Sequence, residues 1–418
     1  MGHTQLEQKK KFRPLLFLFL AGMLSLHLII AWDSIDLIRK GYPDFTTFYS
    51  GASILRQGLR RQLYDEATQY RVQLQFAAGV STRQGPLPYI HPPFEALLFI
   101  PFTWVSYPTA YMLWDVLNLV FLLLLFYLLR PAVPWFRQVP AVGWLLGCLA
   151  FFPAFFALLQ GQDILLLVLL FGVTYVLLRR NIDLAAGCCL GLGVFRFHLV
   201  LPLVLILLYQ KRSRVMAGFL ATATLLGLVS VAIIGWQGVL SYPSHVWHLE
   251  QAMERRQTIV PIRMASVRGL LDNLLVLHTS RLVSDVAIGA VSCTLLIFAA
   301  RKWKMGSRIE FDLGFALCVI VTVLVSYHTL AYDLSLLLLP LALTIQHFCS
   351  DGGVQPRARL RLFILLFLLF FSPLHAFLVM RDGHYNLFAL VLLFWCWLLS
   401  REIGDARNIA ELSHRVVG

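Results

Sequence analysis

Apolar runs of helical length recur along the whole chain, and they constrain its fold more tightly than any other feature. They fall at about 14–32, 108–129, 141–158, 163–178, 183–195, 198–210, 215–236, 282–300, 311–327, 334–348, 362–378 and 387–400. Inside lipid such a run must satisfy its own backbone hydrogen bonds, so each is expected as a membrane helix. With 59% hydrophobic and 14% charged residues the chain is too apolar for a soluble globule. The expected fold is an all-α polytopic membrane protein, one integral domain over 1–418, with about twelve crossings. The first run follows Lys9, Lys10, Lys11 and Arg13 and lacks a small-residue cleavage pattern, so it reads as a retained anchor.

Basic residues set the orientation, because they favour the cytoplasmic side of short loops. With the N-terminus inside, those loops hold Arg130 and Arg137, Arg179 and Arg180, Lys211, Arg212 and Arg214, then Arg301, Lys302, Lys304 and Arg308. The net charge of +13 therefore faces the membrane surface. No basic run is interleaved with stacking aromatics, so no nucleic-acid partner is expected. The seven cysteines sit in or beside predicted spans and show neither an outer disulfide nor a zinc pattern.

This orientation leaves two long outer loops, 33–107 and 237–281. In the first, Pro43 places Asp44 at a natural helix N-cap, ahead of an apolar stripe of Phe45, Phe48, Tyr49, Ala52, Leu55 and Leu59. The stripe predicts a helix lying on the bilayer surface. Asp44 is then either a plain cap or a base held near lipid headgroups. A further helix is expected to about Phe76. The stretch Phe94–Val105 is too short to span and reads as interfacial.

The same outer side collects His91, His198, His245, His248, His278, His328 and His384, together with Asp163, Asp333 and Asp382. The runs 183–195 and 198–210 each cover roughly 20 Å of a hydrocarbon core of about 30 Å. Their joining turn, Phe195-Arg196-Phe197-His198, should lie below the outer surface. A guanidinium there either snorkels outward or meets an anion, and a lipid phosphate suits its bidentate fork. Gln160-Gly161-Gln162-Asp163 forms a tight turn whose amides could bind sugar hydroxyls or simply close a hairpin. Between Ser326 and Asp333 an imidazole, two phenols and a carboxylate come together. His245 and His248 form an H-x-x-H with no evident second ligand pair, and Asp115 lies within a span.

In order, the segments DFTTFYSGASIL at 44–55, LYD at 63–65, YIHPPFEALLFIPF at 89–102, AYMLWDVLNL at 110–119, the Gly161-Gln162 turn, Arg196 and YDLSLLLLP at 332–340 resemble glycosyltransferase family 87. That family lies within the GT-C superfamily of polytopic transferases. The resemblance implies a GT-C-like helical bundle with interfacial helices in the first outer loop. It implies inverting transfer of a hexose, often mannose, from a polyprenyl-phosphate donor to a lipid or glycan hydroxyl outside the plasma membrane, on its periplasmic or exterior side. Asp44 matches the family's catalytic acid, and His328 falls where related mannosyltransferases carry a functional histidine. Arg196 stands where lysine is commoner, and His91 replaces a more usual tyrosine.

On this reading Asp44 and His328 are the candidate catalytic residues, Arg196 and His198 bind the donor phosphate, and Tyr49, His91, Gln162, Tyr332 and Asp333 line the substrate site. Neither cofactor nor metal is expected, and the partners are the lipid-linked sugar, the acceptor and membrane lipids. The rival readings are a polytopic transporter and a lipid-linked-glycan flippase or ligase. The lack of internal repeats and the gathering of polar residues at one face count against transport.

Overall fold

The computed structural model describes residues 2–79, 85–255, 260–275, 278–304, 306–349 and 356–417, and among them every regular element is a helix. The side chains of Lys9, Lys10, Lys11 and Arg13 lie outside the described residues. Seven helical stretches are long and apolar enough to cross a membrane, or nine when two bent pairs, Ala141–Ala150 with Phe152–Gln160 and Pro356–Phe370 with Ser372–Asp382, each count as one. Length and composition thus give seven to nine candidate spans, fewer than the twelve apolar runs. The difference has a physical source: Ile164–Arg179 is only 16 residues long, and Arg308–Val325 opens with Arg308, Glu310 and Asp312.

One of the seven stretches folds back on itself. Asp183–Tyr209 has 27 residues and, if straight, would separate its ends by about 40 Å. Yet Asp183 Oδ2 lies 3.3 Å from Nη1 of Arg212, three residues past the far end. The turn of 3₁₀-helix at Gly193–Arg196 makes the reversal, and it sets Arg196 at the tip of a hairpin.

Arg308–Val325 runs through the middle of the bundle, buried from Glu310 to Leu324. Its start is fixed by a capping box in which Ser307 Oγ accepts from Glu310 N–H and Glu310 Oε2 accepts from Ser307 N–H. Pro14–Asp33 and Arg281–Lys302 lie at the periphery with Leu15, Phe17, Trp32, Leu282 and Val286 exposed, as lipid-facing helices should be. At one end of the bundle Arg179 and Arg308 both donate to the Ala132 carbonyl, at 2.7 and 2.6 Å, and Gln210 donates to the Trp303 carbonyl. The opposite end carries Asp44, Asp163, Arg196 and His328.

The first loop departs from the surface-helix expectation. Every residue of the helix Phe45–Arg56 from Phe45 to Leu55 is buried, so it is a packed element and not an amphipathic one lying on lipid. Its polar face is covered too. Thr46 Oγ1 hydrogen-bonds the Gly41 carbonyl and the Tyr107 hydroxyl, and Gln73 Nε2 reaches Ser50 Oγ and the Leu87 carbonyl. The helix Glu66–Leu74, capped by Asp65 accepting from Thr68 N–H at 2.8 Å, supplies that cover. Sequence periodicity registers the apolar stripe but not the partner on the other face.

The second loop is largely helical. Ser213–Arg255 continues past Gly235, where φ of 80° breaks the helical path in a conformation that glycine takes readily. Beyond this kink Tyr242 donates to the Ile90 carbonyl at 2.9 Å and His245 packs on Tyr64. Glu250 and Glu254 are thereby brought over the chain near His328.

Candidate active site

The site is assembled from the turn at 160–163. Gly161 ends the helix Phe152–Gln160 in the left-handed region at φ 60°, and a Cβ there would lie 2.7 Å from Cβ of Phe45. Only glycine lets this turn approach the start of the Phe45 helix so closely. From the other side, Trp114 Nε1 and Asn118 Nδ2, one helical turn apart on Tyr107–Leu129, both donate to the Gln162 carbonyl at 3.2 Å. The flanking Gln160 accepts from the backbone N–H of Asp44 at 3.2 Å.

This clamp leaves Gln162 one arrangement. Its Oε1 accepts from Nη2 of Arg196, so its amide nitrogen must point away, and that nitrogen donates to Asp44 Oδ2 at 2.6 Å. Asp44 occupies the N-cap position of its helix but its side chain makes no cap hydrogen bond. Of the two roles open to it in sequence, the structure shows the carboxylate turned toward Gln162 and not toward its own helix end.

Arg196 is 3% exposed and fully engaged on two sides. Its Nε donates to Asp163 Oδ1 at 2.7 Å, Nη1 to Asp333 Oδ1 at 3.0 Å, and Nη2 also contacts Asp163. The Tyr332 ring lies 5.4 Å below the guanidinium carbon. Asp333 uses its other oxygen to accept from Leu330 N–H at 2.8 Å, which ties the tip of the 183–209 hairpin to the 326–333 segment. Nothing here snorkels: the guanidinium is held inside the protein by two carboxylates and an amide.

His198 follows Arg196 and keeps its Nε2 buried without a hydrogen-bond partner. Its ring stands edge-on to that of His328 at 5.9 Å. His328 Nδ1 lies 3.6 Å from Glu250 Oε1, and Glu250 is held by Arg268, which also donates to the Tyr327 carbonyl and stacks on the Tyr327 ring at 3.7 Å. His91 lies 3.0 Å from Glu95 through Nδ1, and burial pushes its pKa down to about 3, so it is neutral at physiological pH.

The structure therefore gathers Asp44, Gln162, Arg196, Tyr332 and Asp333 into one connected network, with His198, His328 and His91 at its edges. Tyr49 stands apart. Its hydroxyl is committed to the Val105 carbonyl at 2.8 Å and its ring packs on Phe76 and Tyr107. Sequence reasoning passed over Trp114, Asn118, Glu95, Glu250 and Arg268. The spacing of Tyr111, Trp114 and Asn118 along one helical face was the available signal, and Asp115, one turn after Tyr111, shares that face. The partners of Glu95, Glu250 and Arg268 are distant in the chain, except for His91, so no local spacing marks them.

The fold and site together define a helical membrane protein with a buried, ion-paired polar centre at one end of its bundle. The chain belongs to glycosyltransferase family 87, whose family model matches residues 89–327, more than half of it, and it is accordingly a glycosyltransferase with a sugar donor and an acceptor. Asp44, His328, Tyr332 and Asp333 fall outside the matched residues. No curated protein and no solved structure matches the chain.

Proposed function

We propose that the protein transfers a hexose, with mannose the first sugar to test, from a polyprenyl-phosphate donor to a hydroxyl of a lipid or glycan acceptor, with inversion, at the outer face of the plasma membrane. The observation that supports this most is the Arg196–Gln162–Asp44 relay. It holds one carboxylate in a fixed orientation, turned from its own helix end toward Gln162 and linked through that amide to a buried cation. In the reaction the acceptor oxygen bonds to the anomeric carbon, the bond from that carbon to the phosphate oxygen breaks, and the hydroxyl proton passes to Asp44. Polyprenyl phosphate leaves. His328, backed by Glu250, is the second candidate base.

Arg196 contributes through its charge. Its N–H groups are occupied by Asp163, Asp333 and Gln162, so it favours the departing phosphate electrostatically while it aligns Gln162. His198, with an unpartnered ring nitrogen, is the candidate for direct phosphate contact. Tyr332, Asp333, His91 and Gln162 surround the bound sugar. Tyr49 supports the loop that carries Asp44.

Incubation of the purified protein with a panel of polyprenyl-phosphate hexoses and lipid acceptors, followed by mass spectrometry, should reveal free polyprenyl phosphate and a hexosylated acceptor in equal amounts. Nucleotide-sugar turnover with no use of any lipid donor would refute the donor assignment. The sidedness has its own test. In a variant lacking the seven native cysteines, Ser244→Cys should label from outside intact cells and Lys304→Cys only after permeabilisation. Outside labelling of both would overturn the orientation.

A further inference from the structure

Beside the relay lies a cluster of ligand-type side chains in which the transfer reaction gives Glu95 no role. His91 Nδ1, a Glu95 oxygen and an Asp163 oxygen all lie within 4.8 Å of one another. They come from three places: the His91 loop, the first turn of the helix Glu95–Phe99, and the Gln160–Asp163 turn. Glu95 is 2% exposed and Asp163 fully buried; no N–H or hydroxyl of the protein is aimed at either Glu95 oxygen or at Oδ2 of Asp163, and the two acids face each other closely enough to share a proton, burial pushing the Glu95 carboxyl up. Carboxylate oxygens left bare in a protein interior are costly, and two facing carboxylates more so.

We infer that His91, Glu95 and Asp163 form a binding site for one divalent transition-metal cation. The geometry is close to what such an ion needs. Ligand atoms about 2.0–2.2 Å from a metal lie up to about 4.2 Å apart, so the three donors need only small shifts to share one. One imidazole nitrogen and two carboxylate oxygens suit Zn²⁺ or Mn²⁺, and three protein ligands leave a position open for another oxygen. Asp163 is held for the role because Arg196 takes its Oδ1 and leaves Oδ2 bare.

Charge supplies an independent argument. Glu95, Asp163 and Asp333 are buried carboxylates gathered around one buried guanidinium, Arg196. Their formal sum is two negative charges, which one divalent cation balances. A proton shared between Glu95 and Asp163 would remove only one of the two. The expectation of metal independence, drawn from the lack of a soluble domain with a metal-binding acidic motif, is set aside here because these ligands are assembled by tertiary contact. In the reaction the open position would take an anionic oxygen of the donor, a role that rests on the polyprenyl-phosphate reading; binding of the ion does not.

The test uses untagged protein stripped with EDTA and given Zn²⁺ alone or Mn²⁺ alone, then desalted and assayed for metal. Wild type should retain one equivalent of at least one of these ions and melt at a higher temperature when loaded. Glu95→Gln, which keeps the side-chain shape, and His91→Gln should each bind at least about tenfold more weakly. X-ray absorption of the loaded wild type needs no variant and should show one imidazole with oxygens at about 2.0–2.2 Å. Wild type that retains neither ion, undiminished binding in Glu95→Gln, or a shell with sulfur or several imidazoles would each overturn the site. None of these readouts depends on turnover, so the metal site and the glycosyltransferase reaction can fail separately.

Discussion

Arg196→Ala is expected to destabilise the protein by about 3–5 kcal/mol, the cost of leaving buried carboxylates without their cation. The guanidinium is 3% exposed and compensates Asp163 and Asp333, both fully buried, so its loss strands two acids and not one. The melting temperature in detergent should fall sharply. Arg196→Lys should recover part of the loss, since an ammonium keeps the charge but cannot hold Asp163, Asp333 and Gln162 through one planar fork. A double variant, Arg196→Gln with Asp163→Asn, should be less destabilised than Arg196→Ala because the stranded charge is removed with its partner. Donor binding should weaken in every folded variant. Wild-type melting of Arg196→Ala would show that the network carries no stability, and unchanged donor binding would remove Arg196 from the site.

Asp44→Asn should leave that stability intact and abolish transfer. The carboxylate caps no helix end, and an asparagine can still present its carbonyl oxygen to the Gln162 amide. What it cannot do is accept a proton. Loss of general-base help costs about 10² to 10⁴ in rate, so kcat should drop by that range while insertion, melting temperature and donor binding persist. Near-normal turnover in Asp44→Asn combined with an inactive His328→Ala would move the base to His328. Activity in both would sink the mechanism proposed here.

The two variants differ because of where each residue stands in the relay. Arg196 is structural and electrostatic at once, since three of its neighbours would otherwise be unsatisfied in the interior. Asp44 sits at the far end, contacted by the Gln162 amide through one oxygen and by Gln160 through its backbone. Removing its charge therefore alters the chemistry before it alters the fold. Gln162 couples them, and its amide orientation is dictated by Arg196.

Hydropathy and loop charge together were enough to indicate an all-helical membrane chain, basic residues at one end with histidines and acids at the other, and the hairpin that lowers Arg196 into the protein. These features follow from local rules: apolar length, loop charge and the reach of a short helix. The motif segments around Tyr89, Ala110 and Gly161 likewise carried the family, because their chemistry is written in contiguous residues. Tertiary structure decided the rest. Whether the Phe45 helix lay on lipid or inside the protein depended on Gln73 and on the Glu66 and Glu95 helices packed against it, which no periodicity records. Whether Arg196 met a substrate anion or a protein one depended on Asp163 and Asp333, residues 33 and 137 positions away. Burial removes water as a partner, so only the three-dimensional neighbours of a charged group fix what it is paired with.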